Sequence, residues 1–161
     1  MLKKLLFVAL ASSSFAFAGA ISQSMVPLNG TVVAIADGDT LTLLDSNFVQ
    51  HKIRLAYIDA PEKSQAFGEA SKKSLSNLAY SKQAQAYCPS IDRYQRRVCE
   101  VVVEGLNVNR AQVFHGMAWV YAAYAPKNSP LLELQAQARE QQLGLWRDDE
   151  PVAPWEFRRK K

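Results

Sequence analysis

The chain has 161 residues, 48% hydrophobic and 21% charged, with a formal net charge of +4 and two cysteines. That is enough apolar material for one domain with a real core, which excludes a disordered chain, while two cysteines are too few for a disulfide-framework miniprotein. No run of about 18 or more apolar residues is present, so an ordinary membrane span is excluded as well.

Residues 1–18 read as a secretory signal peptide. Lys3 and Lys4 give a positive start, Leu5–Leu10 an apolar stretch, and Ala16-Phe17-Ala18 before Gly19 a small-residue cleavage pattern. A buried N-terminal helix is the alternative. No cysteine follows the cleavage site, which argues against a lipoprotein anchor. The basic charge is concentrated at the two ends, since Arg158-Arg159-Lys160-Lys161 closes the chain, and the intervening sequence is slightly acidic. A polyanion would therefore be met by a local cluster of charge, not by a field over the whole surface.

Residues 19–28 lack periodicity and read as a linker. Thr31–Ile35 is β-branched and ends at the turn signal Asp37-Gly38-Asp39. Thr40–Leu44 reads as a second strand. Phe48–Ile58 reads as a third, stopped by Asp59-Ala60-Pro61, because proline cannot join a central ladder. Gln65–Lys82 reads as a helix with Phe67, Leu75 and Leu78 on one face. Gln85–Cys88 and Val98–Val103 read as two more strands around a basic loop. Val108–Met117 reads as a second helix with Asn107 as N-cap. Pro130–Leu143 reads as a third, with Ser129 as N-cap, Pro130 in the first turn and Gly144 as stop. Five short strands and three helices in this order fit an α+β fold: a small Greek-key barrel with helices packed on it, an OB-like barrel being one such fold.

Export places Cys88 and Cys99 in an oxidising compartment, where a disulfide is the default. Closing a loop of about twelve residues would contribute roughly 3 kcal/mol. Two free buried thiols are the alternative.

His51 and His115 have no zinc-ligand partners at useful spacing, and there is no glycine-rich phosphate loop, dinucleotide fingerprint or nucleophile elbow. Acids and arginines gather instead at strand–loop junctions: Asp37 and Asp39, Arg54, Asp59 and Glu62, then Asp92, Arg93, Tyr94, Arg96 and Arg97. Two carboxylates can hold a hard cation such as Ca2+. Two arginines can clamp a phosphate and stabilise added negative charge. A third carboxylate can orient or deprotonate a water. Together these make a phosphodiesterase site, although Asp-Gly-Asp on its own is commonly only a turn and unrelated solvated charges are the competing account.

Asp37-Gly38-Asp39-Thr40, then Arg54 with Asp59, Pro61 and Glu62, then Asp92-Arg93-Tyr94 with Arg96, resemble the motifs of the thermonuclease (staphylococcal nuclease-like) family. The resemblance extends from about Asn29 to Trp146 and includes Gly105–Val120 and Leu143-Gly144-Leu145-Trp146. It implies a five-stranded OB-like Greek-key β-barrel with three packed α-helices over residues 29–147, followed by a C-terminal basic tail over 148–161. It further implies a Ca2+-dependent nuclease that hydrolyses DNA and RNA to 3′-phosphate ends. Asp39, Asp59 and the carbonyl of Ala60 correspond to cation ligands, Glu62 to the general base, and Arg54 and Arg96 to the arginines on the scissile phosphate. Arg93, Tyr94 and Tyr124 correspond to substrate contacts. Gln95 stands where the family usually has glycine, so a positive φ there would strain it. A second nucleotide-contacting tyrosine falls at Ala122, beside Tyr121. The expected partners are nucleic acids alone, with no membrane anchor, for a monomer that is periplasmic or secreted. A non-catalytic OB module that binds nucleic acid is the alternative, but it would be marked by missing catalytic positions.

Overall fold

A run of alternating inward and outward side chains builds the first three strands. The computed structural model describes residues 26–160, so the expected signal peptide lies outside the described residues. Strand β1 (Leu28–Ile35) pairs antiparallel with β2 (Thr40–Leu44), and β2 pairs antiparallel with β3 (Gln50–Leu55). Leu41, Leu43, Ile53 and Leu55 point inward and are fully buried. Arg54, between two inward residues, therefore lies on the opposite face, directly across from Thr40. The third strand is shorter than expected. Tyr57 adopts φ 67, which breaks the run and leaves Ile58–Asp59 as a separate short strand, β4.

Helix α1 (Gly68–Ala79) starts after Phe67, whose φ of 64 cannot continue a helix, and so begins later than the composition suggests. Strands β5 (Gln83–Ile91) and β6 (Arg97–Val103) form a hairpin around the basic loop and are longer than expected. β1 pairs with β5, and β6 pairs in parallel with β3, which closes a five-stranded mixed barrel in the order β3-β2-β1-β5-β6. The expected OB-like barrel is thus present.

A short β7 (Leu106–Asn107) leads into α2 (Val108–Phe114), where the Asn107 side chain accepts from the amide of Arg110, the expected cap. β8 (Trp119–Val120) pairs with β4. Helix α3 (Pro130–Glu140) carries the expected Ser129 cap and proline start, and ends before Gly144, which has φ 54. A 3-10 turn follows at Gly144–Arg147. The structure then adds a helix that sequence reading missed, α4 (Pro154–Arg159), within the segment expected only as a basic tail. The described residues thus hold four α-helices where three were expected.

The main core fills the barrel and the α1–α2 interface, with Val32, Ile53, Leu75, Val101, Val108 and Val113 at 0% exposure. A smaller cluster of Ala138, Leu145 and Trp146, backed by Phe67 and Trp119, ties α3 and the 3-10 turn to the body.

Candidate active site

The Asp37-Gly38-Asp39 turn is held from inside the protein. Gln112, fully buried on α2, donates its amide to the carbonyls of Gly38 at 2.7 Å and Ser71 at 3.1 Å, and accepts from Ser74 Oγ at 2.6 Å. Gly38 has no room for a side chain, since a Cβ there would run into Ser71 and Ala60. The turn is therefore pinned with Asp37 and Asp39 at the end of the barrel.

Asp39 links two loops that are far apart in sequence. Its Oδ2 accepts from the amide of Ala60 at 2.8 Å and its Oδ1 from Thr40 Oγ1 at 3.0 Å. Asp59 is buried on β4 next to it. Arg54 spans both carboxylates, pairing through Nη1 with Asp39 and through Nη2 with Asp59 Oδ1 at 3.1 Å. Burial raises the Asp59 carboxyl above its ordinary value, and the nearby Asp39 charge adds to that, against the lowering pull of Arg158 and Arg54. Burial and the Asp39 charge likewise push Asp37 up to about 6. Three acids and one central arginine thus form a single, mutually stressed cluster.

The second arginine is set by the β5–β6 loop. Asp92 organises this loop, its carboxylate accepting from the amides of Tyr94 and Arg96, each at 2.9 Å, and from Arg96 Nε at 2.8 Å. Arg96 Nη1 reaches Thr40 Oγ1 at 3.4 Å, so Arg96 and Arg54 flank the same threonine. Gln95 adopts φ 63, the positive value that strains a residue with a Cβ. Cys88 and Cys99 form a disulfide, with Cys88 at a bulge of β5 and Cys99 buried on β6.

Asp39, Arg54, Asp59, Ala60, Glu62, Arg93, Tyr94, Arg96 and Tyr124 all line one open cleft of about 810 Å3. Tyr94 is 63% exposed with Arg93 and Arg96 over its ring, and Tyr124 is 71% exposed at the rim. Glu62 stands half-exposed after the buried Asp59–Pro61 segment. Its loop packs so closely on α1 that a Cβ at Gly68 would meet the Glu62 carbonyl.

Sequence reading missed three contributors. Gln112 is one. Asn109 is another: it donates to the carbonyls of Ala56 and Cys99 and accepts from the amide of Val101, joining α2 to β6 and the turn after β3. Two uncharged amides three residues apart on an otherwise apolar helix face were the available signal. The third is Arg158 on α4, which reaches Asp59 and Glu62 and also lines the cleft.

Asp39 and Asp59 are hard oxygen donors and suit a cation such as Ca2+ better than a soft metal. Among the described residues no group of three or more His, Cys, Asp or Glu side chains is arranged to hold a metal. The remaining oxygens of a six- to eight-fold Ca2+ shell would thus come from backbone carbonyl, water or substrate.

Residues 52–148 match the family model described as "Staphylococcal nuclease homologue". A Haemophilus influenzae protein named "Uncharacterized endonuclease" is 46% identical over 131 residues, covering 81% of this chain and 72% of the relative. A protein of the same name from Escherichia coli O157:H7 is 41% identical over 136 residues, covering 83% and 87%. A Shigella flexneri protein named "Micrococcal nuclease" is 38% identical over 140 residues, covering 81% and 80%.

Proposed function

The chain belongs to the Staphylococcal nuclease homologue family and is an endonuclease, a hydrolase of phosphodiester bonds; on that premise we propose that it is an exported, Ca2+-dependent enzyme that cuts DNA and RNA and leaves 3′-phosphate ends. The observation that carries the reading is the convergence of Arg54, Glu62 and Arg96 with Asp39 and Asp59 on one open cleft. A purely binding module would have no need of all five groups.

Asp39, Asp59 and the Ala60 carbonyl would hold the cation, and their hard oxygen set fits Ca2+. When bound, the ion supplies Lewis-acid polarisation of the phosphate. Arg54 and Arg96 clamp the scissile phosphate through their guanidinium donors and meet the charge that develops on its oxygens. Glu62 orients a water and takes its proton as the water oxygen bonds to phosphorus. The bond to the 5′-oxygen then breaks, the 5′-oxygen takes up a proton from solvent, and the phosphate stays on the 3′ side. A carboxylate is a weak base near neutral pH, so electrostatic stabilisation supplies most of the rate gain.

Arg93 and Tyr94 contact a neighbouring phosphate, and Tyr124 lies beside the nucleotide. Their exposure suits a flexible or single-stranded substrate, whose backbone can be drawn to a shallow cleft. Export is supported by the disulfide, which suits an oxidising compartment, and by the sequence pattern of residues 1–18, which reads as a signal peptide. Among the described residues no helix is long and apolar enough to cross a membrane.

The test is digestion of plasmid and single-stranded DNA by the purified mature chain, with Ca2+ and then with EGTA, beside Glu62→Ala. Cleavage that needs Ca2+ and collapses in the variant is the expected result. A folded, oxidised protein that binds DNA without cutting it would overturn the catalytic reading.

A further inference from the structure

The C-terminal helix α4 is anchored on the body before it delivers its charge. Ala153 and Pro154 are buried, and Gln65 Nε2 donates to the carbonyl of Val152 at 2.7 Å. Trp155 stacks on Tyr121 at 5.2 Å with an interplanar angle of 16° and meets the edge of Trp119 at 5.7 Å. That footing sets Arg158 one turn further along, over the cleft.

The Arg158 guanidinium forks across Asp59, with Nη2 2.7 Å from Oδ2 and Nη1 3.2 Å from Oδ1. The same Nη1 lies 2.7 Å from Glu62 Oε1. Asp59 Oδ1 also takes Arg54, so both oxygens of Asp59 are engaged by guanidinium groups. A forked, charge-assisted contact to a carboxylate that is 2% exposed is among the stronger polar contacts a surface arginine can make. The two arginines differ in freedom: the Arg54 side chain is 16% exposed and Arg158 is 43% exposed. Both line the open cleft, and Arg158 is the more exposed of the two.

We propose that Arg158 is a tethered counter-cation of the active site. It competes with a divalent cation for Asp59 and Glu62, and it must leave for the cation to bind. The α4 anchor thereby sets the apparent cation affinity of the enzyme. This rests on the reading of Asp59 as a cation ligand. Arg158 keeps the buried Asp59 and the half-exposed Glu62 neutralised and occupies one oxygen of the base Glu62. The competition is intramolecular, because Trp155 keeps the guanidinium at high local concentration whatever its surroundings.

The experiment is calorimetric titration of the full mature chain with CaCl2 in the absence of nucleic acid, comparing the wild type with Arg158→Gln and Arg158→Lys. Arg158→Gln should bind Ca2+ roughly tenfold more tightly than the wild type, the scale of one charge-assisted contact removed from the competing state. Arg158→Lys keeps the charge but loses the fork, and should fall between the two. Thermal melting without Ca2+ should place Arg158→Gln below the wild type, with a larger upward shift on adding Ca2+. Unchanged or weaker Ca2+ affinity in Arg158→Gln overturns the proposal. If that happens while the wild type still binds Ca2+ and Asp59→Asn does not, the assignment of Asp59 survives and only the role of Arg158 falls. No Ca2+ binding by any variant overturns both.

Discussion

Gln112 donates a 2.7 Å hydrogen bond to the carbonyl of Gly38, joining the middle of a helix to the middle of a turn 74 residues earlier. Neither residue touches the cleft chemistry, yet the bond fixes where Asp37 and Asp39 emerge. Gln112→Ala leaves the buried Gly38 carbonyl without its side-chain donor and Ser74 Oγ without its acceptor. It should cost about 2–3 kcal/mol of stability and lower the cleavage rate by more than that loss explains. Urea melts beside initial rates on single-stranded DNA check both, and a variant with full activity would separate this contact from the site.

The two cleft arginines, Arg54 and Arg96, should behave differently when removed. Arg54 neutralises two buried carboxylates, so Arg54→Ala should destabilise the cation-free protein by about 3 kcal/mol as well as abolish cleavage. Arg96 pairs with a single, partly buried acid, Asp92, so Arg96→Ala should cost only about 1–2 kcal/mol while lowering the rate by about 10²–10³-fold or more. Melting in EGTA and single-turnover rates in Ca2+ distinguish them. A rate change under about tenfold would remove Arg96 from the chemistry.

The strain at Gln95 is open to direct relief. With φ at 63, a residue bearing a Cβ occupies the left-handed region, where glycine sits without penalty. Gln95→Gly should raise stability by about 0.5–1 kcal/mol, the lost strain being partly offset by glycine's greater freedom when unfolded. A lower melting temperature in this variant would show that the Gln95 side chain holds the loop through contacts of its own.

Asp92 gives the loop a pH signature. Burial pushes its carboxyl upward, but the hydrogen bonds from the amide and side chain of Arg96 and the amide of Tyr94 outweigh it, and the group titrates below its ordinary value. A carboxyl depressed in the folded state contributes stability that is fully present above its unfolded value near 4 and is lost as pH falls through the folded one. Asp92→Asn should therefore melt lower than the wild type at pH 7, with the gap closing only below about pH 4. A gap that stays constant across a pH series of melts would mean that the charge on Asp92 is not what orders the loop.

The barrel and most of the cleft could be read in advance because their signals are local. Leu41 and Leu43, or Ile53 and Leu55, alternate within a few residues, and Ser129-Pro130 announces a helix start in two. The break at Tyr57 was hidden because a single positive φ in an apolar run leaves no compositional trace. The acids and arginines were recognisable as motifs, but their joining was not: Asp39 meets the Ala60 amide only because the barrel closes. Arg158 was the furthest out of reach. Its partners Asp59 and Glu62 lie 99 and 96 residues away, and four basic residues at a chain end carry no mark of which one turns inward.

The parallel seam between β3 and β6 sets Ile53 against Arg97 and Arg54 against Val98. It closes the barrel, uniting strands from two distant stretches of chain. A slip of one residue there would turn Ile53 toward the cleft and Arg54 into the apolar interior. Until the seam closes in register, Arg54 and the loop bearing Arg96 have no common frame. The cleft is thus a property of the closed barrel and of neither stretch of chain alone.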